Sequence, residues 1–205
     1  MGKSATAESQ APNAAELRAR LGKRSIALVG MPGSGKSSIG RRLAPRLGLP
    51  FVDADAEIET AAGMSIPEMF AQHGEAYFRG GEARVIARLL EEGPSIIATG
   101  GGALMNDGTR ALIRKRAVSI WLRAEIPVLM RRVRRKGDRP LLQNGDPEET
   151  LKKLLSQRET LYAGADIVIT SREGPHEAVV DSMIEALDRW LADHPDSAHN
   201  PEAPR

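Results

Sequence analysis

Eight residues carry the plainest chemistry in this chain: Gly30-Met-Pro-Gly-Ser-Gly-Lys36-Ser37, a complete GxxxxGK[ST] pattern. The apolar run Ile26–Val29 precedes it, and Ile39, Leu43 and Leu47 recur after it at helical spacing, so the loop joins a strand to a helix. In that setting the glycines let backbone N–H groups curl around the β- and γ-phosphates of a nucleotide, and the helix N-terminus adds its positive end. Lys36 reaches the same phosphates, and the Ser37 hydroxyl suits Mg2+. A glycine-rich turn beside a surface lysine would need neither the strand before it nor the helix after it. GTPases and motor ATPases share this loop. The chain has no DxxG switch and no NKxD guanine-reading motif, and its third apolar run, Ile96-Ile-Ala98, ends in Thr-Gly-Gly-Gly instead of an acid. Those features, with the short chain, favour phosphoryl transfer to a nucleoside or small metabolite.

Asp53-Ala54-Asp55 closes a second short run, Phe51–Asp53. Carboxyl ends of strands line the ligand crevice of a doubly wound sheet. One carboxylate could support Mg2+ through water, and the other could accept a hydrogen bond from an attacking hydroxyl. Capping the next helix is the competing use of Asp55. In Thr99-Gly100-Gly101-Gly102 the missing side chains would let backbone approach a ligand closely. Arg79 in Tyr-Phe-Arg-Gly and Arg158 in Gln-Arg-Glu-Thr could each be a solvated helix arginine, or a bidentate reader of a carboxylate.

The elements that would position these groups alternate regularly. Strands are expected at Ser25–Val29, Phe51–Asp53, Ser95–Ala98, Val118–Leu122 and Ile167–Thr170, each followed by a helix. Ser65-Ile-Pro-Glu68 reads as a capping box that opens a helical hairpin reaching Glu92. Asp146-Pro147 starts a helix toward Tyr162, and Pro175 opens the last one, to Trp190. Five strands alternating with helices imply an α/β fold with a parallel sheet covered on both faces. Residues 1–24 read as a flexible arm or marginal helix, and 192–205 as a disordered polar tail.

Composition narrows the function classes. With 205 residues, 41% apolar and only 3% aromatic, the chain suits one domain with an aliphatic core. The absence of cysteine excludes disulfides, thiolate metal sites and a thiol nucleophile. No apolar run approaches the ~20 residues of a membrane span, and no secretory leader is visible, so a cytoplasmic protein is expected. The net charge of +2 hides an asymmetry: Arg110–Arg139 holds eleven Lys or Arg against Glu125 and Asp138, so that stretch carries +9 and the rest −7. That field suits an anionic ligand, although most of these residues fit a solvated helix face. Without interleaved aromatics, nucleic acid is not expected as a partner.

Taken together, GMPGSGKSSIGRRLAPRLGLPFVDADAEIE, SIPEMFAQHGEAYFR, TGGGAL, DRPLL and QRETLY resemble shikimate kinase, in order and spacing, over residues 25–190. The resemblance implies a fold like that of the nucleoside monophosphate kinases, a P-loop NTPase-type sheet with a substrate-binding hairpin at about 54–92 and a lid at about 134–145, within a kinase domain spanning 25–191. It implies ATP and Mg2+, shikimate as acceptor, and a monomer. Gly33, Ser34, Gly35, Lys36, Ser37 and Ser38 would bind the ATP phosphates, with Ser37 on Mg2+ and Asp53 behind it. Lys36, Asp55 and Arg139 would act in catalysis, Arg139 as the lid arginine over the phosphates. Asp55, Arg79, Gly101 and Arg158 would hold shikimate, and Arg172 is the nearest match to an adenine-side arginine. A gluconate-type kinase and a noncatalytic nucleotide-binding protein are the competing readings. Asp55 argues against the latter, because binding a nucleotide does not require it.

Overall fold

The computed structural model describes residues 13–134, 146–172 and 174–195. Arg139, nearly all of the expected lid and residues 1–12 lie outside them. Five strands, β1 (Ser25–Val29), β2 (Phe51–Asp53), β3 (Ile96–Ala98), β4 (Ala117–Arg123) and β5 (Ile167–Thr170), form one sheet in the order β2-β3-β1-β4-β5. All neighbouring pairs are parallel, with Leu28 opposite Ala98 and Ile120.

Successive strand residues face opposite sides of a sheet, and both sides are apolar here. Ala27, Val29, Ile97, Ala117 and Trp121 join one core with helices α3 (Ala54–Ala62), α4 (Ile66–Glu91), α5 (Asp107–Arg116), α6 (Ile126–Arg134) and α7 (Pro147–Ala163). Ile26, Leu28, Ile96, Val118, Ile120 and Leu122 join another with α1 (Ala14–Leu21), α2 (Lys36–Leu47) and α8 (His176–Asp193). The near-continuous aliphatic sequences of β1, β3 and β4 follow from burial on both faces, whereas the edge strand β5 alternates buried and exposed residues.

Local signals set the helix ends. Ser65 and Glu68 form the expected reciprocal capping box, and the Asp146 carboxylate accepts from the Glu148 N–H at 2.9 Å. Within α4 the backbone leaves helical geometry at Gly74 (φ 80°, ψ 174°), a region open to glycine alone. The outer turns, with Met69 and Phe70, are thereby set at an angle to the inner turns that carry Arg79.

Of the two readings of residues 1–24, flexible arm or marginal helix, the described part takes the helix. Residues 14–21 form α1, capped by the Asn13 side chain, with Leu17 and Leu21 buried against α2 and α8. The short, charge-rich helix looked marginal because its apolar residues are few, yet two leucines four apart are enough when a groove receives them. Leu17→Ala should therefore cost about 2–4 kcal/mol in urea denaturation. A loss under ~0.5 kcal/mol would show that α1 does not belong to the folded unit.

Candidate active site

Strands β1, β2 and β3 deliver their carboxyl ends to one cavity of about 250 Å³. The phosphate loop supplies one wall with Gly33, Gly35, Lys36, Ser37 and Ser38. Gly33 and Gly35 hold φ of 84° and 102°, which a side chain would strain. Lys36 is buried, and its ammonium donates to the Gly30 and Met31 carbonyls at 2.8 and 3.0 Å. Ser34 is placed differently from its neighbours. Its N–H closes a turn on the Met31 carbonyl at 3.1 Å, its carbonyl accepts from Arg132, and it lies outside the cavity lining.

Asp53 and Asp55 stand opposite, with Thr99 and Gly101. The cap lies just before Asp55: Asp53 caps α3, accepting from the Asp55 N–H at 3.2 Å. Asp55 sits in the first turn, facing the cavity.

The three glycines after β3 serve a purpose beyond the expected approach to a ligand: this protein's own groups already occupy the space around them. A Cβ at Gly100 would collide with the Glu82 carboxylate and meet Asp55 at 3.0 Å. One at Gly101 would lie 2.8 Å from the Pro32 ring, and one at Gly102 2.5 Å from the Arg79 guanidinium. None of the three has a positive φ, so close packing requires glycine here and backbone conformation does not. Among the described residues the N–H groups of Gly101 and Gly102 meet no acceptor.

Neither expected acceptor arginine is a solvated helix residue. Arg79 donates to Glu82 at 2.6 Å and to Glu75 at 3.1 and 3.2 Å. Burial works against its charge, but Glu82 and Glu75 outweigh that and push its pKa up. Arg158 is buried and donates to the Gly101 carbonyl at 3.1 Å; its Nε has no partner among the described residues. Glu82 is buried as well, and burial pushes its carboxyl above the ordinary value against the pull of Arg79. Tyr162, buried beside Arg158, also donates to the Gly101 carbonyl, and burial pushes its pKa up to about 12.

Glu82, Tyr162 and Arg132 were not singled out in the sequence. Glu82 had a readable signal, an acid three residues after Arg79 on one helix face. Arg132 was one of many in a basic run. It binds the Ser34 carbonyl at 3.1 Å, the Ser171 hydroxyl at 2.9 Å and the Arg172 carbonyl at 2.9 Å, and with Val133 and His176 it closes one end of the cavity. The Arg172 side chain is exposed and lies outside that lining.

The arrangement puts the phosphate loop and Asp55 on one cavity, with Arg79 and Arg158 packed on the Gly101–Gly102 backbone outside its lining. The shikimate kinase family model matches residues 32–188. A shikimate kinase of Bradyrhizobium diazoefficiens is 61% identical over 178 residues, covering 87% of this chain and 86% of that protein. The structure of a shikimate kinase from Acinetobacter baumannii in complex with shikimate superposes with a TM-score of 0.80 at 34% identity, covering 87% of this chain and 98% of that one. A gluconokinase from Sinorhizobium meliloti has a TM-score of 0.57 at 19% identity, over 86% of this chain and 98% of that one, which shows a shared fold alone.

The glycine packing predicts unequal costs. Gly101→Ala presses on a proline ring that cannot swing aside, so urea denaturation should report a loss of about 1–3 kcal/mol. Gly81→Ala, in α4 with nothing within 4 Å of the added carbon, should be neutral or stabilise by up to ~1 kcal/mol. Equal effects at both positions would contradict the packing account.

Proposed function

The chain belongs to the shikimate kinase family, and on that premise we infer that it transfers the γ-phosphate of ATP to the 3-hydroxyl of shikimate. The observation that carries the substrate is the pair of arginines, half-buried Arg79 and buried Arg158, packed on the Gly101–Gly102 backbone; Gly101 lines the phosphate-loop cavity, and the two arginines lie behind it, outside that lining. Such a pair suits a carboxylate, and the Gly101 and Gly102 N–H groups beside it, without acceptors among the described residues, suit further oxygens of the same small acid.

In the reaction the shikimate oxygen bonds to the γ-phosphorus as the bond to the departing ADP oxygen breaks. The Asp55 carboxylate orients the attacking hydroxyl and takes its proton. Lys36 leaves the Gly30 and Met31 carbonyls for the phosphates, and the N-terminus of α2 adds its positive end. Gly33, Gly35, Ser37 and Ser38 line that cradle; Ser34 contributes by fixing the turn and receiving Arg132. Arg139 and Arg172 keep the roles that the resemblance gives them, over the phosphates and on the adenine side, and Arg132 joins Arg172 on that side. Mg2+ fits this donor set: the Ser37 hydroxyl and Asp53 carboxylate are hard oxygen ligands on one cavity, and a cation that retains water and phosphate oxygens needs few protein ligands. Bound there, it would neutralise phosphate charge. The protein's own part is positioning and electrostatic stabilisation. The monomer that the resemblance implies is part of the same proposal. Among the described residues no helix is long and apolar enough to cross a membrane; a cytoplasmic location is part of the proposal.

A coupled assay of ADP release with shikimate, gluconate and no acceptor tests the reading. Shikimate should give rapid turnover, and the other two only slow hydrolysis, because a closed site excludes water as nucleophile. Equal rates in all three would sink the assignment. Asp55→Asn should keep ATP binding and lower kcat by on the order of 10²-fold or more; near-normal turnover would remove Asp55 from the chemistry.

A further inference from the structure

One buried polar group in the site has no part in the mechanism above. The Tyr162 hydroxyl donates to the Gly101 carbonyl, the same oxygen that Arg158 binds. The ring is fixed on both sides of that bond. Tyr162 is 1% exposed and stacks on Trp121, with ring centroids 5.8 Å apart. Gly101 itself rests on the Pro32 ring of the phosphate loop, so its peptide has little freedom except rotation of the carbonyl.

A peptide unit is planar, and in the trans form its C=O and N–H point to opposite edges. Holding the Gly101 carbonyl toward α7 therefore aims the Gly102 N–H away from α7. We propose that Tyr162 is a positioning residue for the acceptor: through the Gly101 carbonyl it fixes the orientation in which the Gly101–Gly102 peptide presents its N–H to substrate. The proposal rests on the acceptor reading given above and deepens it.

Arg158 cannot perform this duty alone. A guanidinium recruited to a carboxylate shares or surrenders its bond to Gly101, and the peptide would then be free to turn when its orientation matters most. The tyrosine hydroxyl, although it also accepts from Arg158, has no part in binding the carboxylate itself. Its high pKa keeps it a neutral donor throughout the neutral range, so the anchor does not weaken as pH changes there.

Tyr162→Phe removes the hydroxyl and keeps the stacked ring. Two readouts are needed, one of them independent of substrate. Hydrogen exchange of the backbone amides in residues 99–105 should quicken about tenfold in the variant, while exchange in α2 stays unchanged. In steady-state assays the shikimate KM should rise about tenfold, with kcat within about twofold and the ATP KM unchanged. A purely structural tyrosine would lower the melting temperature and leave both the local exchange and the shikimate KM at wild-type values, and that result overturns the proposal. Uniformly faster exchange across the whole chain would also overturn it. If the wild-type enzyme does not phosphorylate shikimate, the functional reading fails by itself, and unchanged exchange at 99–105 still decides against the anchor.

Discussion

The site depends on one steric constraint: the backbone that leaves β3 passes through a space with no room for a side chain. Glu82 and Asp55 fill one side of Gly100, the Pro32 ring abuts Gly101, and the Arg79 guanidinium lies against Gly102. A single four-residue strand end therefore touches the phosphate loop, the first turn of α3 and the inner turns of α4, and it takes hydrogen bonds from α7. The nucleotide side and the acceptor side are registered against each other through this contact. Reacting atoms need placement within a fraction of an ångström, and close-packed backbone transmits position better than long side chains do.

Charge imposes the second requirement. Arg79, Glu82 and Arg158 are largely removed from water, and Asp55 acts electrostatically on Glu82. Buried ion pairs gain little net stability, since desolvation offsets much of the attraction. Here the pairing leaves one Glu82 oxygen and the Arg158 Nε without partners among the described residues. That incompleteness makes sense for a reader of anions, whose cations must be held charged and oriented but not fully satisfied by the protein. On the proposed function, Glu82 would steer Arg79 and leave the pair of arginines able to attract a carboxylate.

Much of this was legible in the residues. Strands buried on both faces wrote themselves as aliphatic runs, and the phosphate loop is a local motif whose geometry follows from its own glycines. Asp53 and Asp55 were found because one ends a strand and the other follows it closely, although which of them caps α3 depended on where the helix begins. The glycine triplet was visible while its cause was not, because Glu82, Pro32 and Arg79 reach it from three other segments. Tyr162 and Arg132 were hidden for the same reason: nothing within a turn of either residue records that it faces a carbonyl from a distant loop. The leucines of α1 were visible too, but the groove that receives them is built by α2 and α8.

The central claim is that the acceptor is recognised by its carboxylate through Arg79 and Arg158. The most direct measurement compares kcat/KM for shikimate with that for its methyl ester, which keeps the ring and all hydroxyls but carries no negative charge. A site built around one buried and one half-buried guanidinium group should disfavour the ester by on the order of 10³-fold or more. Comparable kcat/KM values for acid and ester would contradict the account.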